Sequence, residues 1–105
     1  NGNKVYEITS ITHYNGDYIF PNSGFELLTE ADLKGKSAEV LALGRNEIFA
    51  RHGRTFTTPE FQNYFNGCSW YSPNPDYNYD NDAANLNSIE RQNANFIKAY
   101  EDKLK

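Results

Sequence analysis

The sequence predicts a mainly α fold, a small bundle of about four helices with an N-terminal β-hairpin or extended tail. Three observations carry that expectation. Helix-capping residues recur at Thr29, Ser37 and Thr58, and glycines that suit helix ends follow at Gly35, Gly53 and Gly67. Apolar residues between them repeat at helical spacing. Aromatic residues make up 15% of the 105, enough large rings to close a core where aliphatic residues are few.

Residues 1–17 stand apart as an extension or hairpin strand, and residues 18–105 form the helical domain. Val5 to Tyr14 is β-prone, Asn15-Gly16 is a hairpin turn signal, and Asp17 to Phe20 is a second β-prone run. Pro21 to Gly24 reads as a loop. Thr29 then caps a first short helix with Glu30 and Asp32 in its opening turn, and Gly35 stops it. Ser37 caps a second helix, expected over Ala38–His52, with Gly53 as its left-handed end.

Thr58 and Pro59 open a third helix that runs to about Asn66. Phe61, Tyr64 and Phe65 form its apolar stripe. Pro73 and Pro75 exclude a helix from the irregular stretch 68–82. A last helix starts near Asn85–Asn87, with Ile89, Phe96, Ile97, Tyr100 and Leu104 expected on its inner face. The expected core is Leu28, Leu33, Leu41, Ile48, Phe49, Phe56, Phe61, Phe65, Trp70, Ile89, Phe96 and Ile97. Arg45 lies in the apolar stripe of the second helix. It is expected as a buried polar bolt to carbonyls of the Trp70–Pro75 loop or to an acid on the last helix, such as Glu90.

Composition removes several function classes. The net charge of -4 argues against nucleic acid as a partner. No apolar run approaches the ~20 residues of a membrane span. One cysteine excludes an internal disulfide framework and a multi-cysteine zinc site. Starting at Asn1 with no Met, the chain is expected to be a processed or excised piece. Charge and solubility point to a monomer, and no cofactor is expected.

The second helix carries the most specific signal. Arg45-Asn46-Glu47-Ile48-Phe49-Ala50-Arg51-His52-Gly53 resembles the signature of the YARHG domain, with Phe49 in place of the tyrosine. The resemblance extends upstream through Leu28-Thr29-Glu30-Ala31-Asp32-Leu33. Downstream it takes in Phe56, Pro59, Phe65 and Ser69-Trp70-Tyr71-Ser72-Pro73, so it spans about residues 18–100. It implies a bacterial, extracellular or cell-envelope domain that accompanies peptidase-like, kinase-like or zinc-ribbon regions. It brings no catalytic residues with it.

Each chemical candidate competes with a structural role. His52 with Glu47 is the candidate for general acid–base catalysis, but a helix-end capping role explains it more simply. Arg45 and Arg51 have the guanidinium geometry for a carboxylate or phosphate ligand, yet structural ion pairing is favoured for both. Arg54, just past the helix, is the better surface-binding residue.

Cys68 with His52 suggests a nucleophile pair, against a half-buried inert thiol. Asp76, Asn78 and Asp80 alternate like calcium-loop ligands, but Asn81 replaces the glycine and Asn87 the bidentate glutamate. Tyr77 and Tyr79 are expected at an exposed binding surface, and Trp70 as a core plug beside Tyr71.

The structural motif is therefore Arg45, Phe49, Arg51, His52, Gly53 and Trp70, and the binding set is Arg54, Tyr77, Tyr79 and Arg51. The expected function is a non-catalytic module that recognises a protein, peptide or cell-wall glycan, or positions a neighbouring domain. The alternatives are a small peptide or cell-wall hydrolase using His52, and an inert spacer.

Overall fold

The computed structural model describes residues 18–104. Among them are four α-helices: α1 Glu30–Leu33, α2 Ala38–Ala50, α3 Pro59–Asn66 and α4 Ser88–Lys103. A 3-10 turn, Asp82–Asn85, leads into α4. Residues 18–20 are not a strand. The rest of the expected hairpin, Val5 to Asp17, lies outside the described residues.

The helices start where the capping chemistry places them. The Asp32 carboxylate accepts the Thr29 backbone N–H at 2.8 Å and closes the first turn of α1. Ser37 Oγ accepts from the Val40 N–H at 3.2 Å at the head of α2. At α4, Asn87 Oδ1 accepts from the Glu90 N–H at 2.7 Å, and Glu90 Oε1 accepts from the Asn87 N–H at 2.9 Å. α2 ends earlier than expected, at Ala50. Arg51 caps it, and the chain tightens: His52 N–H donates to the Phe49 carbonyl and Gly53 N–H to that of Ala50.

α2 is the centre of the domain and packs mainly on α4, then on α3. Arg45 reaches Glu101 near the end of α4, whereas His52 reaches Glu90 near its start. The two helices therefore run antiparallel. Leu33, Leu41, Ile48, Phe65 and Ile97 are fully buried between the elements. Ile19 and Phe20 of the entry segment, residues 18–24, join the same core. Gly44 is required there: a Cβ would stand 2.3 Å from Cε2 of Phe20.

The inner face of α4 differs from the apolar stripe expected. Its buried residues are Glu90, Asn93, Ala94, Ile97 and Glu101. Phe96 is 38% exposed and Leu104 49%, while Ile89 and Tyr100 are half-buried. Three polar side chains take the inner face because each has partners waiting there. Asn93 is the clearest case. Its Oδ1 accepts the Leu28 N–H at 2.8 Å, and its amide donates to the carbonyls of Ser23 at 2.8 Å and Glu26 at 2.9 Å. One side chain thus fixes the 23–28 segment on α4. Phe49, Phe56, Phe61 and Trp70 pack on the core from half-buried positions.

Candidate functional site

The C-terminal turn of α2 places Glu47, Arg51 and His52 against three other parts of the chain. Glu47 is fully buried. Its Oε1 accepts the Ile19 N–H at 2.7 Å and its Oε2 the Phe20 N–H at 3.0 Å. These amides lie in non-helical backbone, so the carboxylate substitutes for a missing secondary-structure partner. Burial pushes its pKa from 4.5 up to about 7, against the opposing pull of the two amides and of Arg51.

Arg51 ties four groups together. Nη2 donates to Ser23 Oγ at 2.8 Å and lies 3.5 Å from Glu90 Oε2, while Nη1 reaches the Phe20 carbonyl at 3.4 Å. Glu47 Oε2 is 4.0 Å away. The guanidinium carbon stands 5.4 Å from the centre of the Tyr18 ring, and that ring packs tilted against Trp70 with centres 4.9 Å apart. A planar fork with five donors suits this branching role, which a lysine would not fill.

His52 Nε2 lies 3.0 Å from both oxygens of Glu90. The acid on the imidazole is thus Glu90 of α4, whereas Glu47 is engaged with the entry segment. The imidazole keeps 34% exposure. Gly53 completes the motif with φ of +92°. A Cβ there would stand 2.3 Å from Asn74 Cβ and 2.6 Å from Asn74 N, and Asn74 N–H donates to the Gly53 carbonyl at 2.9 Å. The glycine lets the 68–82 loop close on the end of α2.

Arg45 bolts α2 to an acid on α4, and that acid is Glu101 rather than Glu90, the example taken from the sequence. Arg45 pairs with Glu101 at 2.6 Å through Nε and 3.1 Å through Nη2 and remains 25% exposed.

Two of the four residues expected at a binding surface, Arg54 and Tyr79, come together past the end of α2, whereas Arg51 is held in the knot. Arg54 Nε pairs with Asp82 at 3.0 Å, and its guanidinium stands 5.1 Å from the Phe56 ring and 5.7 Å from the Tyr79 ring. Tyr79 is 49% exposed, and its hydroxyl accepts the Thr55 N–H at 3.0 Å. Hydrogen bonds from Thr55 hold that phenol below its ordinary pKa. Tyr77 departs from expectation. It is buried, it donates to Asp82 Oδ1 at 2.9 Å, and burial raises its pKa.

Cys68 is buried, and its thiol donates to the Tyr64 carbonyl at 3.5 Å. Burial, then the charge of Glu47, pushes its pKa up. Those are the conditions of an unreactive thiol. In the acidic loop, Asn78 Oδ1 accepts the N–H groups of Asp80 and Asn81 at 3.1 Å, a local turn contact for one of the proposed calcium ligands. Among the described residues no three His, Cys, Asp or Glu side chains gather to hold a metal ion. No helix among them is long and apolar enough to cross a membrane.

Sequence reasoning singled out neither Ser23 nor Asn93, and among the acids of α4 it pointed to Glu90 as the example for Arg45, where the partner is Glu101. One signal was present: Glu90, Asn93, Ile97 and Glu101 recur at intervals of three or four, placing polar residues on one face of α4 opposite the arginines of α2.

Comparison with curated proteins finds no match, and neither does comparison with solved structures. The family model of the YARHG domain matches residues 17–102. The matched region includes the whole charged knot at the end of α2 and both segments it grips. The chain belongs to the YARHG domain family.

Proposed function

We propose that this domain is a non-catalytic module of a bacterial extracellular or envelope protein, and that its Phe49–Gly53 motif is architectural. One observation carries this reading: the polar groups of the motif are engaged inside the domain. Arg51 binds the entry segment and α4, His52 binds α4, and Gly53 admits the 68–82 loop. Residues 19–23 are held on α2 by Glu47 and Arg51, which suits a domain that positions a neighbouring one. Recognition of a protein, peptide or cell-wall glycan then falls to the surface outside the knot. The exposed Tyr79 ring beside Arg54 offers a sugar or peptide an apolar face and a cation side by side.

The test is an amide-resolved NMR titration with soluble glycan and stem-peptide fragments of cell wall. Shifts clustered at Arg54, Thr55 and Tyr79, abolished by Tyr79→Ala, support the reading. No shifts at millimolar ligand remove cell-wall recognition and leave protein partners or a positioning role.

A hydrolase reading rests on one feature: a partly exposed imidazole oriented by a buried acid. Its test is product formation from the same fragments, lost in His52→Gln while the thermal midpoint holds.

A further inference from the structure

The Tyr79 ring is held from two sides. Its hydroxyl accepts the Thr55 N–H at 3.0 Å and lies 2.7 Å from Thr55 Oγ1, and the ring packs tilted against Tyr77 with centres 4.8 Å apart. Asn85 clamps the loop around it: its amide donates to the carbonyls of Asn78 and Asp82, and its oxygen accepts the Asn78 N–H. The Tyr79 side chain nevertheless keeps 49% exposure. An aromatic ring held in this way loses little freedom when a ligand covers it. Arg54 stands beside the ring and holds Asp82. Its Nε donates to Asp82 Oδ1 at 3.0 Å and its Nη1 to the Thr55 carbonyl at 3.0 Å, while Asp82 Oδ1 also accepts from the Tyr77 hydroxyl. Among the described residues, neither Arg54 Nη2 nor Asp82 Oδ2 has a hydrogen-bond partner, and the two side chains are 28% and 39% exposed. The pair therefore presents one free donor and one free acceptor with its charges compensated.

We propose that Tyr79, Arg54 and Asp82 form a subsite for one neutral sugar unit of a glycan, with a C–H face of the sugar on the Tyr79 ring and its hydroxyls on Arg54 Nη2 and Asp82 Oδ2. The proposal rests on the reading of this surface as the recognition surface, and it selects neutral glycan over peptide as the ligand. A pyranose has the matching chemistry. Its C–H groups form an apolar face, and each hydroxyl both donates and accepts, as the two free atoms require. An anion finds Arg54 already compensated by Asp82, with Asp76 and Asp80 in the same loop. A peptide cation finds Asp82 compensated by Arg54 in turn. Fixed polar groups beside an apolar face set the orientation of such a ligand, and the ring supplies the contact area.

The experiment is an NMR titration of the intact chain with cellobiose and N,N′-diacetylchitobiose as neutral probes, digalacturonic acid as an acidic one and tetralysine as a cationic one. A neutral disaccharide should shift the amides of Arg54, Thr55, Tyr79 and Asp82 at millimolar concentration, and the ring current of Tyr79 should move sugar C–H protons upfield. Tyr79→Ala should weaken that binding about tenfold, and Tyr79→Phe, which keeps the ring, less than about threefold. Equal losses in the two variants overturn the stacked sugar. Should Tyr79→Ala fail to fold, the upfield shifts and the nuclear Overhauser contacts between sugar and Tyr79 ring protons in the unmodified chain decide, and their absence overturns the proposal. Shifts at these amides with digalacturonic acid or tetralysine alone overturn the sugar subsite and leave a recognition surface for a charged ligand. No shifts at these amides with any probe overturn the sugar subsite and remove this surface from the recognition reading as well.

Discussion

Replacing Gly53 by Ala isolates the contribution of the motif glycine, because Gly35 supplies an internal control. Both residues have positive φ, +92° at Gly53 and +85° at Gly35. Backbone strain from a Cβ is therefore similar at the two sites, about 1–2 kcal/mol. The surroundings differ. A Cβ at Gly35 meets nothing within 4 Å, whereas one at Gly53 meets backbone and Cβ atoms of Asn74 at 2.3–3.0 Å.

Asn74 can relieve that clash only by moving away, which breaks its N–H bond to the Gly53 carbonyl. Losing such a bond costs about 1 kcal/mol, and loosening the loop over the half-buried aromatics adds at least as much. Gly53→Ala should then destabilise the fold by about 3–4 kcal/mol, against about 1–2 for Gly35→Ala. Thermal unfolding followed by far-UV circular dichroism reads the difference. At roughly 4–8 °C per kcal/mol for a domain of this size, Gly53→Ala should melt on the order of 10 °C below Gly35→Ala. Equal melting of the two variants would refute the close approach of the 68–82 loop to the end of α2.

Asn93→Ala removes a side chain that satisfies one N–H and two carbonyls, and should cost about 2–4 kcal/mol in chemical denaturation. Cys68 should react with a thiol reagent such as DTNB only at the rate of unfolding, and fast labelling of the native domain would contradict its burial. Glu47, raised from 4.5 to about 7, gives a stability contribution fully present below pH 4.5 and lost as pH rises through 7. Its full size is on the order of 3 kcal/mol, and Glu47→Gln should remove that slope from denaturation midpoints measured between pH 5 and 8.

Local chemistry made the helices legible. Ser37 and Asn87 mark starts within a residue or two of the observed ones, because a cap acts on backbone groups only a few positions away. At α3 the Thr58 side chain makes no cap bond, and Pro59 at the first position marks the start. Gly53 was legible for the same reason. The inner face of α4 was not. Periodicity identifies buried residues by apolarity, and here Glu90, Asn93 and Glu101 are buried because partners at Arg51, Leu28 and Arg45 meet them from far along the chain. Phe96 and Leu104, which fit the apolar stripe better, are left at the surface. Arg45 shows the same limit: its role as a bolt follows from a charge in an apolar stripe, but choosing Glu101 over Glu90 requires knowing how two antiparallel helices register. Tyr77 reads as a surface residue until Asp82, five positions on, supplies a partner for its hydroxyl.

The central claim is that the motif holds the domain together rather than acting on a substrate, and a double-mutant cycle on His52 and Glu90 tests it directly. His52→Gln, Glu90→Gln and the double variant would be compared by urea denaturation at pH 6. Each single variant should be destabilised, and the pair should be coupled by about 1 kcal/mol or more. Three variants as stable as the parent, with coupling near zero, would contradict it and return His52 to the list of residues kept for chemistry.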